Sequence, residues 1–525
     1  MLIAERLAET ARLFPDREAV VCEDNRISWR ELDTRVARMA RGLLSLGVRA
    51  GDFVVLQLPN SLAYLVAFYG ALRIGAVVVP TNPRYQTREL AHILRDCQAR
   101  VIIMHLVEPK DLQAMRMELP TLRHVLMAKG TPEVTDAIAL DPWLDAQAPY
   151  WPELPPVVAA APATCLYTAG TTGQPKGALL SHAGLLWDFD QARQRFRVTE
   201  GDRFLCVLPL FHSYAQMACL LACLSTGATL VITPQFRPEA VVRMIAAEQI
   251  SIFPGVPAHF AALLTAIRPD SAVDFRSLRV AVTGGAAMPL AVLNTLQERY
   301  GVSVLEGNGP TEAGPLAYLN PEEGVRKPGS VGLPVPGVEV RIAGAHDEEL
   351  ACGTPGEVLV RGPNVMLGYL HQPEQTSTTL RGGWLHTGDL GFKDEDGYVF
   401  LLDRLVDLIL VGGMNVYPRE VEDVLSLHPA VADSSVVGIP DTIRGERVIA
   451  FVVQRPQCSV TEREIIHYCR SQLTTFKCPR SVFFCAELPR NAAGKIDKLR
   501  LRVLAQQYHL SEDEDAGTTP RKDRA

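Results

Sequence analysis

The chain has 525 residues, 47% of them hydrophobic and 21% charged, a globular balance with too much sequence for one compact core. A net charge of −7, with no dense Lys/Arg stripe, argues against a nucleic-acid partner. Eleven cysteines are scattered without paired metal spacing and read as small buried hydrophobes in a reducing compartment. The N-terminal stretch Met1 to Arg12 is amphipathic and charged, without the basic start and long apolar run of a signal peptide. The most apolar stretch, Met217 to Ile232, is broken by Ser225, Thr226 and Gly227 and falls short of the roughly 20 residues a membrane span needs. The expected compartment is the cytoplasm, with at most peripheral membrane attachment.

Short Val/Ile/Leu-rich runs alternate with amphipathic helical patterns over the first 400 or so residues. Phe53 to Leu58 reads as a strand, Ser61 to Arg73 as a helix and Ala76 to Val79 as a second buried strand. The strand Ala228 to Ile232 precedes a helix around Pro238 to Ala247, and the strand Leu278 to Thr283 precedes a helix around Pro289 to Tyr300. Continuous apolar strands between helices mean sheets covered on both faces, hence an α/β fold. After about Asp403 the texture changes to short segments, Leu408 to Val411, Val431 to Val437, Val448 to Gln454 and Ser481 to Phe484, with helices Pro418 to Leu427 and Glu462 to Leu473 between them. The expected division is a large N-terminal α/β domain over 1–403, a small mobile α+β domain over 404–510 and a disordered tail over 511–525, which is charged and rich in small residues.

The strongest local signal is the run Tyr167-Thr168-Ala169-Gly170-Thr171-Thr172-Gly173-Gln174-Pro175-Lys176-Gly177. Glycines let backbone amides approach an anion, threonine hydroxyls add donors and the lysine supplies positive charge. The apolar run Ala163 to Tyr167 leads in and a helical pattern follows from His182, the strand–loop–helix context that holds phosphate. The Gly-Lys-Ser/Thr ending of a Walker A loop is absent. A flexible surface turn is the plain alternative, and three glycines, three threonines and a lysine in one loop weigh against it.

This run resembles the signature of the adenylate-forming superfamily: acyl-CoA synthetases, aryl-CoA ligases, luciferases and the adenylation domains of peptide synthetases. The resemblance spans roughly Gly51 to Arg502 and implies an acid:CoA ligase that takes ATP, Mg2+ and CoA. It assigns the nucleotide's phosphates to Thr168, Gly170, Thr171, Thr172, Gly173 and Lys176. Ala169 stands where the family usually has serine.

Further motifs follow in the family's order. Pro209-Leu210-Phe211-His212 resembles the aromatic/His motif beside the carboxylate site, where His212 would orient the attacking acid; a lone His is more often a satisfied core residue. Thr283-Gly284-Gly285-Ala286-Ala287-Met288-Pro289 is similar to the turn bordering acyl pocket and adenine, with Gly285 and Ala286 at the ligand. Glu306-Gly307-Asn308-Gly309-Pro310-Thr311-Glu312 resembles the motif that gives Thr311 to phosphate and Glu312 to Mg2+, a hard cation that commonly takes one or two protein carboxylates. Gly307, Asn308 and Gly309 border the base there, Asn308 standing where the family commonly has an aromatic residue. Asp389, in Trp384-Leu385-His386-Thr387-Gly388-Asp389, is implied to grip the ribose hydroxyls, and Arg404 to lie near ribose and phosphate. Gly412, Gly413 and Asn415 belong to the glycine strand implied to lie along the pantetheine, and Val406 occupies a hinge position that is usually Lys or Asp. Lys495, in Pro489-Arg490-Asn491-Ala492-Ala493-Gly494-Lys495-Ile496, resembles the catalytic lysine of a mobile domain. A lysine in a terminal loop is otherwise simply solvated.

The segments Asn82 to Tyr85, Arg88 to Leu90 and Gly324 to Gly337 look similar to bacterial medium- and long-chain fatty acyl-CoA synthetases. The expected wall of the acid pocket, Phe211, Tyr214, Met217, Val256 and residues near Ala286, is apolar, which favours a fatty acid over an amino acid. An aryl acid, a ligase loading a carrier-protein phosphopantetheine and an idle adenylate-binding homologue are the alternatives, and a homodimer is an open option. The short spacing from Arg404 to Gly413 leaves no room for the insertion of carrier-loading relatives and favours CoA.

Overall fold

The computed structural model describes residues 1–85, 87–105, 113, 117–129, 137–151, 156–168, 175–224, 226–267, 273–285, 288–412, 414–441, 444–456, 458–491 and 495–517, with the side chains of 87, 88 and 508–517 outside the description. Two compact units divide it: 1–354, 358–387 and 393–400 form the first, and 355–357, 388–392 and 401–525 the second.

Among the described residues the first unit holds two large sheets. In the nine-stranded sheet, Glu18–Cys22, Thr229–Ile232, Arg203–Cys206, Ile252–Gly255, Val280–Thr283 and Ser303–Asn308 are neighbours in that order, and all pair in parallel. In the eight-stranded sheet, Pro162–Thr168, Val77–Pro80, Phe53–Gln57, Val101–Met104 and His124–Met127 run parallel, and Lys176–Ser181 folds back antiparallel on Pro162–Thr168. Val77–Pro80, Val101–Met104, Thr229–Ile232 and Val280–Thr283 are buried at every position, as strands covered on both faces must be.

The helices follow from local chemistry. Ser61 accepts from the Tyr64 amide at 3.2 Å and starts Leu62–Arg73, an almost wholly apolar helix that is buried nearly all round. Ser181 starts His182–Arg195 in the same way, accepting from the Gly184 amide at 3.0 Å. Pro238–Ala247 turns Val241 and Ile245, four residues apart, into the core. The segment expected as one helix over Pro289 to Tyr300 is instead an α-helix, Leu290–Asn294, that passes into a π-helical turn, Thr295–Arg299. The Thr295 hydroxyl donates to the Ala291 carbonyl at 2.7 Å, competing for the i−4 acceptor at the point where the ladder widens.

The second unit has a five-stranded sheet built on the hairpin Val431–Asp441 and Gly445–Gln454, with Asp441 opposite Gly445. Both strands run further than the expected Val431 to Val437 and Val448 to Gln454, the first continuing through Gly438 and Pro440. A Cβ at Gly438 would stand 2.9 Å from Ile409 Cγ2, so glycine leaves room for the Ile409 side chain, which comes from the strand Ile409–Val411 on the far side of Gly445–Gln454. The helix Lys498–Gly517 closes the unit with Leu501 and Ala505 fully buried against Val437, Ile439 and Phe451. Residues 518–525 lie outside the described residues. Eight of the eleven cysteines are buried and none is bonded to another.

Candidate active site

Four adjacent strands of the nine-stranded sheet, Arg203–Cys206, Ile252–Gly255, Val280–Thr283 and Ser303–Asn308, end on one edge because they are parallel. Open α/β sheets bind ligands beyond the carboxyl ends of their strands. The segments leaving this edge carry His212, Val256, Gly284-Gly285 and Asn308-Gly309, which separate in sequence but meet in space.

His212 caps the short helix Ser213–Ala215, its Nδ1 3.4 Å from the Tyr214 amide. An Nδ1 that accepts leaves the ring proton of the neutral form on Nε2. Tyr214 lies across two strand ends, its hydroxyl donating to the carbonyls of Val282 at 2.9 Å and Gly255 at 3.4 Å. Its ring edge borders Gly284, where a Cβ would sit 3.8 Å away. Gly285 has φ +79°, in the left-handed region.

Asn308 Oδ1 accepts from the amide of Gly309 at 2.6 Å, holding the side chain within its own turn. A Cβ on Gly309 would lie 2.6–2.8 Å from backbone atoms of Pro315, Leu316 and Ala317. Backbone cannot rotate aside as a side chain can. Gly309→Ala is therefore expected to cost about 1–3 kcal/mol, the usual range for overpacking, and to raise the KM for ATP; a thermal melt and adenylation kinetics measure the two effects.

The next turn gathers the polar groups. Thr311–Ala313 is a single 3-10 turn. Thr311 Oγ1 lies 3.1 Å from Ser213 Oγ, and Glu312 Oε1 accepts from Thr168 at 3.1 Å and Tyr369 at 3.0 Å. Among the described residues Glu312 Oε2 takes no hydrogen bond. Asn364 holds the turn from behind, its Nδ2 donating to the carbonyls of Ala313 and, at 3.1 Å, Leu316. Thr168 and Lys176 are partners across the antiparallel pair Pro162–Thr168 and Lys176–Ser181. Lys176 Nζ sits 5.5 Å over the Tyr369 ring. Thr168, Lys176, Thr311 and Glu312 thus come together, with Ser213 and Tyr369 added by the fold.

A lone carboxylate with an oxygen to spare suits Mg2+, which fills its shell with water and phosphate oxygens rather than a protein cage. No group of three or more His, Cys, Asp or Glu able to hold a metal occurs among the described residues. Glu312 fits that limited role.

Expected residues of the second unit form their own arrangement. Asp389 is ion-paired with Arg404. Gly412, at φ +59°, turns the hairpin between Ile409–Val411 and Met414–Val416, and its amide donates to the Arg444 carbonyl at 2.6 Å. Asn415 is exposed on that hairpin. Lys495 is exposed, its amide 3.1 Å from Asn491 Oδ1 and its carbonyl accepting from the Asn491 amide at 2.7 Å. Ala169, Gly170, Thr171, Thr172, Gly173, Ala286, Gly413 and Ala492 to Gly494 lie outside the described residues.

Residues 7–370 match the family model of the AMP-binding enzymes, and residues 420–495 match that of the AMP-binding enzyme C-terminal domain. The chain belongs to this adenylate-forming family. It is an AMP-forming acyl-CoA synthetase, an acid–thiol ligase of the branch that uses ATP, Mg2+ and CoA. It is 39% identical, over 95% of its length and 98% of the relative's, to a 7a-methyl-1,5-dioxo-octahydroindenyl propanoyl:CoA ligase of Mycobacterium tuberculosis. It is 34% identical to a long-chain-fatty-acid–CoA ligase of Bacillus subtilis, covering 95% of this chain and 94% of that one. The crystal structure of an anthranilate CoA ligase in complex with anthranoyl-AMP superposes with a TM-score of 0.90 at 30% identity, covering 97% of this chain and 98% of that one. No helix among the described residues is long and apolar enough to cross a membrane.

Proposed function

We propose that this acyl-CoA synthetase activates a medium- or long-chain fatty acid, in the cytoplasm, and that the site residues divide between its two half-reactions. One observation carries the division of roles: Thr168, Lys176, Thr311 and Glu312 converge around one 3-10 turn beside the strand ends that carry His212 and Gly285. Lys176 and the threonines take the phosphates, and Glu312 would hold Mg2+, which would screen phosphate charge. His212 orients the carboxylate with its Nε2. Gly307, Asn308 and Gly309 border the adenine, while Asp389 takes the ribose hydroxyls once Arg404 releases it.

In the first half-reaction a carboxylate oxygen attacks the α-phosphorus in line and pyrophosphate leaves with the bonding pair. Lys495 bridges carboxylate and α-phosphate and offsets the charge gathering between them. In the second, the thiolate of CoA attacks the acyl carbonyl and AMP leaves, giving the thioester. Gly412, Gly413 and Asn415 line the thiol's approach.

Fatty acid is preferred because Phe211, Tyr214, Met217 and Val256, the residues expected around the acid, offer no carboxylate to pair with an amino acid's ammonium. Tyr214 has its hydroxyl tied to backbone, Met217 is buried, and His259 is pushed down to about 4 by burial and stays neutral. The named fatty-acid ligase relative supports the same class. Pyrophosphate release is the test, with ATP, Mg2+ and CoA and a panel from hexanoate to stearate, plus benzoate, anthranilate and phenylalanine. The highest kcat/KM is expected on a saturated acid of eight carbons or more. A preference for the aryl acids, or turnover only when a phosphopantetheinyl carrier replaces CoA, overturns the assignment; no release with any acid points to an idle homologue.

A further inference from the structure

The second unit contains a strap, Asp403 to Asp407, and the helix Lys498–Gly517, which starts nearly a hundred residues later. Within the unit the two are bound together at two points. Arg502 Nη2 donates to the Val406 carbonyl at 3.1 Å and to Asp407 Oδ1 at 2.5 Å. Lys498 Nζ lies 3.8 Å from Asp403 Oδ1 and 3.2 Å from Glu422 Oε1. The spacing is matched: basic residues four apart on a helix meet acids four apart on the strap.

Both partners are fixed on their own side. The helix is anchored by Leu501 and Ala505, which are fully buried. Asp403 also accepts from the amides of Arg404 at 2.8 Å and Arg419 at 3.1 Å, the latter in the first turn of the helix Pro418–Ser426. The Asp407 and Arg502 side chains are 14% and 26% exposed, so their bond is shielded better than an ordinary surface pair. Val406 itself, 59% exposed, contributes a carbonyl to the clasp rather than its side chain.

Lys495 lies three residues before Lys498, in a loop whose ends are joined by the Asp497 amide donating to the Pro489 carbonyl at 2.8 Å. The strap is therefore joined through the last helix to Asp497, two residues after Lys495. We propose that Arg502 and Lys498 are positioning residues for adenylation, clasping the hinge strap Asp403–Asp407 to the helix that carries the Lys495 loop, so that the strap's conformation sets where Lys495 is delivered. This inference rests on the two-half-reaction reading above. A bare hinge would leave Lys495 free to wander, and an error of about 1 Å in a reacting group can cost a hundredfold in rate.

The test separates the two half-reactions in Arg502→Ala: pyrophosphate–ATP exchange for adenylation, and CoA ester formation from supplied acyl-adenylate for thioesterification. Exchange is expected to fall at least about tenfold with the KM values for ATP and acid unchanged, while thioester formation changes less than about twofold. Arg502→Lys, which keeps one donor, recovers part of the loss, and the swap Asp407→Arg with Arg502→Asp recovers more than Arg502→Asp alone. An equal fall in both half-reactions, or a swap no better than the single reversal, overturns the proposal. Should Arg502→Ala fail to fold, Arg502→Lys and the swap decide it by the same ratio. If the unsubstituted chain forms no acyl-adenylate from any acid, the function reading fails on its own. The clasp is then judged by hydrogen exchange of the 405–408 amides, which faster exchange in the variant upholds and unchanged exchange refutes.

Discussion

Lys495→Ala is expected to slow adenylation by roughly a thousandfold, the scale lost when a preorganised charge at a developing transition state is removed, and to leave thioester formation from supplied acyl-adenylate within a few-fold of normal. The asymmetry follows from what the ammonium meets. In adenylation a carboxylate approaches an anionic phosphate, and a cation between them lowers the barrier. In thioester formation the attacked carbon is a carbonyl, the leaving group is already AMP, and the lysine has no charge to offset. Lys495 is exposed, and its backbone is bonded to Asn491, so alanine removes the charge without undoing a packed core. Rapid-quench measurement of pyrophosphate and acyl-CoA in single turnovers separates the two rates. Equal loss in both would falsify the assignment of Lys495 to the first half-reaction.

The outline of the fold was legible because buried parallel strands leave unbroken Val/Ile runs, such as Val77–Pro80 and Val101–Met104. The run Tyr167 to Gly177 stood out for a related reason: glycines, threonines and a lysine must be adjacent in the chain to make an anion-holding loop, and Thr168 and Lys176 do pair across its two strands. What escaped is what only the tertiary fold assembles. Tyr369 donates to Glu312 from 57 positions away, and Ser213 meets Thr311 across 98. Nothing in Val365-Met366-Leu367-Gly368-Tyr369 marks that tyrosine as different from a core aromatic. Lys498 and Arg502 look like the solvated face of a terminal helix until Asp403 and Asp407 are placed opposite them. The π-helical turns Gln216–Leu221 and Thr295–Arg299 were hidden because their residues fit an α-helix by propensity.

Glu312→Gln isolates charge from shape at the candidate metal ligand. The amide keeps an oxygen that can still accept from Thr168 and Tyr369, so the turn Thr311–Ala313 should hold, and the melting temperature should stay close to that of the parent. The negative charge is lost, and with it the ligand Mg2+ prefers, since an amide oxygen binds a hard cation more weakly than a carboxylate. Adenylation kcat/KM is expected to fall roughly a hundredfold or more, and the Mg2+ concentration for half-maximal rate to rise, so that added Mg2+ restores part of the loss. Tyr369→Phe makes the complementary change: it removes one hydroxyl from Oε1 and keeps the charge. Losing a hydrogen bond to a charged group is worth about 1.5–3 kcal/mol at most, and solvent near a half-buried site returns some of it, so the decrease should be smaller and the Mg2+ midpoint nearly unmoved. A Mg2+ titration of exchange activity in both variants tells charge from positioning. If Glu312→Gln leaves the Mg2+ midpoint where it was, Glu312 acts by holding Thr168 and Tyr369 in place, and the cation rests on the nucleotide's phosphates alone.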